Sequence, residues 1–308
     1  MEALAVVLQA PEKLEVSRLA LDAQGDADVV VDVAFSGIST GTERLLWSGK
    51  MPPFPGMGYP LVPGYESVGV VRNAGTASGL HAGQTVFVPG AKCFGPVRGL
   101  FGASASCLVV PGSRVLAIDS APDDRLTLLA LAATAYHAVA GCSPDLIIGH
   151  GVLGRLAARL AAIAGGNPTV WETNEVRRGG AGGYTVIDPT TDERRDYRCI
   201  LDVSGDAGLL DTLIGRLARN GEIVLAGFYD RISFSFPPAF MREARLRIAA
   251  EFKDEDLRAT SLLVSTGQLS LDGLITHRSA PDEADAAYRT AFGDPSCLKM
   301  ILDWRACS

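Results

Sequence analysis

The sequence predicts an α/β fold in two parts, a β-rich and turn-rich front followed by a doubly wound parallel sheet. Three observations carry this expectation. The apolar run Leu146-Ile147-Ile148 breaks into Gly149-His150-Gly151-Val152-Leu153-Gly154, a GxGxxG turn, and a helix-compatible Ala/Leu-rich segment follows over 155–164. From Asp145 onward, strand-like and helix-like segments alternate. The first ~120 residues instead hold short β-prone runs separated by Gly, Pro and Asp.

Each element has its own reason. In the front part, residues 4–8, 29–33, 67–71, 85–88 and 106–110 are read as strands. Residues 51–60 are too rich in proline and glycine for a helix or inner strand, so a surface loop carrying apolar and aromatic groups is expected. Residues 126–139 read as a helix joining the halves. Strands then fall at 146–149, 169–172, 185–188, 199–203, 223–226 and 247–252, with a helix at 209–219 among them and another at 282–292 in the tail. In the glycine turn, the first glycine permits a tight exit from a strand and the second allows close backbone approach to a pyrophosphate. The third lets helix and strand pack closely, and the helix N-terminus offers free N–H groups to phosphates. Thr169-Val170-Trp171-Glu172 ends in a carboxylate near the ~20-residue offset that suits a ribose diol. The expected cofactor contacts are Gly149, His150, Gly151, Val152, Leu153, Gly154 and Glu172.

Bulk properties narrow the class. The 308 residues suffice for two domains, and 47% hydrophobic with 20% charged residues is ordinary globular composition. A formal charge of -7 argues against a general nucleic-acid binder. No apolar run reaches the ~20 residues of a membrane span, and no signal-peptide layout opens the chain, so the cytoplasm is the expected compartment. Peripheral membrane contact stays open. The six cysteines form no CxxC pair and the four histidines no HxxxH, so metal-ligand spacing is absent and reduced thiols are expected.

Several local strings resemble the medium-chain dehydrogenase/reductase superfamily over nearly the whole chain. Gly37-Ile38-Ser39 is similar to its Gly-Ile-Cys, and Val62-Pro63-Gly64-Tyr65-Glu66-Ser67-Val68-Gly69 to its Val-Pro-Gly-His-Glu-x-x-Gly. Leu274-Ile275-Thr276-His277-Arg278 resembles its C-terminal strand, and Cys199-Ile200-Leu201-Asp202-Val203-Ser204-Gly205 its fourth Rossmann strand. The resemblance implies a GroES-like catalytic domain over 1–122, a Rossmann dinucleotide-binding domain over 123–260, and a return to the catalytic domain over 261–308. A homodimer is in keeping with such relatives.

Departures from the family pattern bear on chemistry. Where the first two catalytic zinc ligands are Cys and His, this chain has Ser39 and Tyr65. The third would fall near residues 129–133, which hold no ligand, and Cys93 stands alone where a structural zinc lobe has four cysteines. Hydroxyl and phenol are poor zinc ligands beside thiolate and imidazole, so no metal is expected. Ser36-Gly-Ile-Ser-Thr-Gly-Thr-Glu-Arg44, Pro63-Gly-Tyr-Glu-Ser67, Gly149-His-Gly-Val-Leu-Gly-Arg155 and Gly99-Leu-Phe-Gly-Ala-Ser-Ala-Ser106 resemble the zinc-free branch that acts in bacteriochlorophyll a synthesis. That branch oxidises the 3-(1-hydroxyethyl) group of a (bacterio)chlorophyllide to 3-acetyl with NAD. The carbon that loses hydride there is benzylic in character, and the conjugated ring delocalises its developing charge, which lessens the need for a Lewis acid.

Proton removal is expected from a hydroxyl network with a carboxylate or imidazole behind it: Ser39, Tyr65 and Glu66 at the positions carried over from the metal site, with Thr40, Thr42 and Glu43 beside them. Each has a plainer reading: Tyr65 fills the volume of histidine and zinc, Ser39 is a turn residue, and Glu66 is structural. His150 is read as part of the cofactor shell, donating to a phosphate or pointing into the cleft. Met51, Phe54, Tyr59 and Phe101 are expected to face a planar tetrapyrrole, with His137 as a packed histidine or a proton relay. Glu172 favours NAD because a carboxylate repels a 2′-phosphate, and Arg177 and Arg178 are read as solvated. The rival readings are a zinc-free NADPH quinone or enoyl reductase, a sugar-alcohol dehydrogenase, and an NAD-binding protein without catalysis.

Overall fold

The computed structural model describes residues 1–52 and 55–307. The chain forms two compact units, Met1–Ala130 with Leu274–Ser308, and Leu131–Gly273. Among the described residues, no helix is long and apolar enough to cross a membrane.

The first unit is built on β-sheet. Its seven-stranded sheet runs in the order His277–Ser279, Met300–Asp303, Asp28–Ile38, Ser67–Ala74, Thr85–Val88, Leu116–Ile118, with Cys107–Pro111 also on Asp28–Ile38. A four-stranded sheet is ordered Lys13–Ala20, Glu2–Ala10, Leu61–Val62, Arg98–Gly99. The five β-prone runs of the front all lie in or overlap these strands. The tail returns to this sheet: Met300–Asp303 pairs antiparallel with Asp28–Ile38, Met300 opposite Ile38 and Asp303 opposite Phe35. Helix Ala284–Gly293 supports it through Ala284, Ala287, Tyr288 and Ala291, a buried stripe at helical spacing. Val29, Val30, Val31, Leu108 and Trp304 are fully buried at the centre of this unit.

The second unit is a six-stranded parallel sheet. Its order is Thr185–Ile187, Thr169–Trp171, Leu146–Ile148, Tyr197–Asp202, Leu217–Leu225, Arg245–Ile248. Numbered along the chain this is 3-2-1-4-5-6, the doubly wound arrangement of dinucleotide-binding sheets, with the first strand at the point where the order reverses. Leu146–Ile148 is buried throughout, as a strand covered on both faces must be.

The boundaries differ from the expected ones. The first unit runs past residue 122 because Leu126, Thr127 and Leu128 of the 3-10 turn Asp124–Leu128 are buried and pack under strands Asp28–Ile38 and Ser67–Ala74. Only from there does helix Leu129–Val139 begin. The second unit runs past residue 260 because helix Asp254–Ser265 continues beyond it. Arg159 then holds the carbonyls of Ser270 and Asp272 at 2.6 and 2.9 Å. The helix after the glycine turn covers Val152–Ile163, earlier than 155–164, because Gly154 belongs to its first turn. Helix 209–219 is shorter, Leu210–Arg216, and strand Leu217–Leu225 starts directly after it.

Candidate active site

In the first unit, strand Asp28–Ile38 ends beside Ser39, and the chain turns through half-buried Thr40 into the short helix Thr42–Trp47. The neighbouring strand begins at Ser67, which sits opposite Ser36, so Tyr65 and Glu66 arrive next to the same strand end. Ser39 Oγ and Tyr65 Oη share a hydrogen bond of 2.7 Å. The Thr42 hydroxyl also hydrogen-bonds the phenol. Burial, reinforced by the negative charge of Glu66, pushes the Tyr65 phenol above its ordinary value. Near neutral pH Tyr65 is thus a protonated hydroxyl, able to accept and donate but not a ready phenolate base.

A carboxylate stands behind this pair. The Ser39 N–H donates to Glu43 Oε1 at 3.2 Å, and the Tyr288 hydroxyl donates to Glu43 Oε2 at 2.6 Å. Glu43 is fully buried, and burial raises its carboxyl to about 7 against the opposing hydrogen bond from Tyr288. Tyr288, from the returning tail, is a residue that sequence reading missed. The helix that carries it was expected at 282–292, but its partner was not legible.

Glu66 is placed differently from the expected catalytic role. Its carboxylate is 0% exposed and forms an ion pair with Lys299, itself 1% exposed. Beyond each other, these two side chains have no hydrogen-bond partner among the described residues. The pair lies over Gly37, where an added Cβ would stand 2.3 Å from Glu66 Oε2 and 2.8 Å from Lys299 Cε. Burial raises the Glu66 carboxyl while Lys299 pulls it down. Glu66 is a buried group whose charge acts on the Tyr65 phenol. Lys299 was also missed, although a lone lysine leading into the apolar strand Met300–Asp303 was the available signal.

The expected substrate-lining residues separate into groups. Met51, Tyr59 and Phe101 pack around the small apolar cluster of Leu8, Leu46, Leu61 and Leu100. The Phe101 ring meets Tyr65 edge-on, with centroids 5.3 Å apart and planes at 80°. Phe54 lies outside the described residues. His137 belongs to the second unit, where its Nδ1 is 2.9 Å from Asp256 Oδ2, a packed histidine.

These residues do not fit a zinc ion. Ser39 and Tyr65 satisfy each other, and Leu129, Ala130, Ala132 and Ala133 are fully buried apolar groups where a third ligand would fall. Among the described residues, the His, Cys, Asp and Glu side chains grouped closely enough for a metal are Cys142, Cys199 and Glu222, in the other unit.

In the second unit the glycine turn has the form a dinucleotide needs. Gly149 has φ +101°, and a Cβ on Gly154 would fall 1.8 Å from the Gly149 carbonyl oxygen. Gly151 caps helix Val152–Ile163 without a side-chain hydrogen bond, which leaves the first helical N–H groups for an anion. Glu172 follows the neighbouring strand, 8% exposed; Oε2 accepts from the His150 N–H at 3.0 Å and Oε1 from the Asn174 N–H at 2.8 Å. Each oxygen keeps a further lone pair for a ribose hydroxyl. The turn thus fits a nicotinamide dinucleotide.

His150 is not the phosphate donor or cleft residue expected of it. It is 0% exposed, with Nδ1 2.6 Å from the Arg177 carbonyl and Nε2 2.8 Å from the Tyr184 hydroxyl. Burial lowers its imidazole to about 4, so it is neutral. A carbonyl only accepts, so Nδ1 carries the proton and Nε2 accepts from Tyr184. Arg155 completes this brace with hydrogen bonds to the carbonyls of His150, Arg177, Gly179 and Gly180. Arg178 is not solvated either: it pairs with Asp188 and donates to the carbonyls of Glu172 and Thr173. Arg177 is half-buried.

Residues 25–120 match the alcohol dehydrogenase GroES-like domain family. The chain is 57% identical over 316 residues to the 2-desacetyl-2-hydroxyethyl bacteriochlorophyllide A dehydrogenase of Cereibacter sphaeroides, covering 99% of each chain. It is 58% identical over 311 residues to the protein of the same name from Rhodobacter capsulatus, again with 99% of each covered. The chain belongs to the medium-chain dehydrogenase/reductase family. Among solved structures, L-idonate 5-dehydrogenase from Escherichia coli K-12 superposes with a TM-score of 0.86 at 19% identity, covering 98% of each chain. That likeness shows the fold alone.

Two predictions follow from the buried charges. Lys299→Met leaves Glu66 buried without its partner and lowers unfolding stability by about 3–5 kcal/mol. The double variant Glu66→Gln/Lys299→Met costs less than Lys299→Met alone, as urea denaturation will show. Glu43, with its carboxyl raised to about 7 in the folded chain, keeps a proton that the unfolded chain loses above the ordinary 4.5. Between these values the native state binds more protons, so this contribution to stability is full below pH 4.5 and is lost as pH rises through 7. Glu43→Gln therefore gains stability relative to the unmodified chain as pH increases across that window, read as a shift between the two urea midpoints.

Proposed function

We propose that this protein is an NAD-dependent secondary-alcohol dehydrogenase that oxidises the 3-(1-hydroxyethyl) group of a (bacterio)chlorophyllide to 3-acetyl, without a catalytic zinc. The observation that carries the reading is the full-length similarity to two dehydrogenases named for the hydroxyethyl bacteriochlorophyllide. The Ser39–Tyr65 hydrogen bond at the family's zinc position supports it.

The second unit supplies the cofactor site. Gly149, Gly151 and Gly154 admit the pyrophosphate to the backbone, the N-terminus of helix Val152–Ile163 attracts its charge, and Glu172 takes the ribose hydroxyls. Val152 and Leu153 continue this turn, and His150 acts by fixing it from behind. When bound, the nicotinamide supplies the hydride acceptor for the carbinol carbon. A negative Glu172 opposes a 2′-phosphate, and Arg178 is already engaged with Asp188, which favours NAD over NADP.

Tyr65 and Ser39 manage the proton. The substrate hydroxyl hydrogen-bonds the Tyr65–Ser39 pair, which relays its proton to solvent water through a chain of hydroxyls that end neutral, with Thr40 and Thr42 at its rim. Glu43 holds the Ser39 backbone and Glu66 biases the field beneath, so both are positioning residues. Phe101, Met51 and Tyr59 give the planar ring an apolar, aromatic surface beside Tyr65. The conjugated ring stabilises the carbon that loses hydride, which is why a hydroxyl pair suffices where a simple alcohol needs a metal.

Turnover is measured by incubating the enzyme with hydroxyethyl chlorophyllide and following the red shift of the long-wavelength band. The expected kcat/KM is higher with NAD than with NADP and is unchanged by chelators. Tyr65→Phe and Ser39→Ala each lower kcat about 100-fold or more. Near-normal turnover in both variants would remove the hydroxyl pair from the reaction, and metal-dependent turnover would overturn the zinc-free reading.

We also infer a homodimer. Arg245–Ile248 is an edge strand of the parallel sheet. Ile248 is 65% exposed, as are Phe236, Phe240 and Met241 of the preceding helix at 68%, 65% and 71%. Sedimentation equilibrium is expected to give twice the chain mass, and Phe240→Glu/Ile248→Glu to give a monomer.

A further inference from the structure

One group of reactive side chains lies apart from the coenzyme turn and the hydroxyl pair. Cys142 follows helix Leu129–Val139, Cys199 sits in strand Tyr197–Asp202, and Glu222 sits in strand Leu217–Leu225. Their sulfur and carboxylate atoms all lie within 4.8 Å of one another. The register accounts for this, since Cys199 and Glu222 are opposite each other in adjacent strands. The Asp145 N–H also donates to the Cys199 carbonyl at 2.9 Å, at the end of the sheet away from Gly149. Arg247 closes the cluster: it donates to Cys142 Sγ at 3.5 Å and to the Ala138 carbonyl at 3.0 Å, and its Nε is 3.5 Å from Glu222 Oε2. Cys142 is half-buried and Cys199 is buried behind it.

We propose that Cys142 and Cys199 are a redox site, a dithiol that hydrogen peroxide converts to a reversible disulfide. Cys142 has the surroundings of a reactive thiol, partly exposed and next to a fixed guanidinium. A hydrogen bond from Cys199 lowers the Cys142 thiol, and the Arg247 charge adds to this. The same contact pushes Cys199 up, so Cys142 is the sulfur that ionises first. Elsewhere burial pushes Cys93 up to about 11 and raises Cys107, which leaves both inert by comparison. As a donor, the Cys142 thiol makes a long contact, 3.7 Å, to the Ala138 carbonyl.

The chemistry balances in two steps. The Cys142 thiolate attacks one peroxide oxygen; the S–O bond forms, the O–O bond breaks, and hydroxide leaves to become water. The Cys199 sulfur then attacks the Cys142 sulfur of the sulfenic acid. The S–S bond forms, the S–O bond breaks, the Cys199 proton leaves with the departing oxygen, and a second water is released. Two thiols are oxidised by two electrons and one peroxide is reduced to two waters. A small dithiol reverses the step by exchange. A bound divalent cation is the rival occupant of the same atoms. Arg247, 3.5 Å from both Cys142 Sγ and Glu222 Oε2, already supplies the positive charge there and repels a second cation.

The test uses the reduced full-length protein, exposed to a small excess of hydrogen peroxide, alkylated, digested and analysed by mass spectrometry. The expected result is a linked Cys142–Cys199 peptide and the loss of two of the six free thiols, both restored by dithiothreitol. Cys199→Ser is expected to leave Cys142 as a sulfenic acid trapped by dimedone, and Cys142→Ser to leave Cys199 unmodified. Arg247→Gln slows alkylation of Cys142 several-fold at neutral pH in a chain that retains both cysteines. Oxidation of Cys93 or Cys107 at the same rate, or oxidation of Cys142 without the linked peptide, overturns the proposal. So does stoichiometric zinc binding by the reduced chain that Cys142→Ser abolishes.

Discussion

The antiparallel pairing of Met300–Asp303 with the end of Asp28–Ile38 is the constraint on which the first unit depends. Two long-range contacts arrive with it. Trp304, fully buried, donates from Nε1 to Ser36 Oγ at 2.8 Å, and Lys299 comes to rest on Glu66. The preceding helix adds Tyr288 to Glu43. The last residues of the chain thus form the floor under Ser39 and Tyr65. Two acidic side chains become tolerable in a dry interior because each meets a partner from the tail: a cation for Glu66, a hydroxyl for Glu43. The floor also explains Gly37, since any side chain there would strike the Glu66–Lys299 pair.

A hydroxyl pair and a zinc ion place different demands on the same strand ends. Zinc needs three converging donors, and a thiolate or imidazole must be aimed by neighbours. Ser39 and Tyr65 bond each other at 2.7 Å, with Thr42 on the phenol and Glu43 on the Ser39 N–H, and need no third metal ligand. The buried carboxylates raise the phenol further, which keeps it protonated. Such a pair can donate to and accept from a hydroxyl, but it offers no strong positive charge to an alkoxide. It suits an alcohol whose own π-system carries part of the electronic burden.

Sequence reading was strongest where a local pattern has one structural solution. The GxGxxG turn, the six parallel strands and the returning tail follow from short strings whose spacing is dictated by backbone geometry, such as the missing space for a Cβ at Gly154. Ser39 and Tyr65 were legible through motif position, and the structure brings them into contact. The edge strand Lys13–Ala20 was not legible, because its alternating half-exposed and exposed residues carry Lys13, Glu15 and Arg18 where an inner strand would carry apolar groups. Partners were illegible for a different reason. Lys299 with Glu66 and Tyr288 with Glu43 are separated by more than two hundred residues, and only the three-dimensional register joins them. His150 shows the converse: its motif position pointed toward phosphate, while burial and two hydrogen bonds turn its ring the other way.

The brace around His150 gives the coenzyme turn a rigidity that the glycines alone cannot provide. Glycine permits close approach but is conformationally permissive, so three glycines in six residues would leave the turn loosely held. Glu172 fastens the His150 N–H, while the His150 ring and Arg155 fasten the carbonyls of the loop that follows Glu172. The carboxylate that suits a ribose diol is thereby tied to the turn that suits the pyrophosphate. A neutral imidazole is required for this, because Nε2 must accept from Tyr184 while Nδ1 donates to a carbonyl. Protonation would put a second donor against the Tyr184 hydroxyl hydrogen, and burial prevents it by holding the imidazole at about 4. The rigidity of the turn therefore comes from the side chains around the motif.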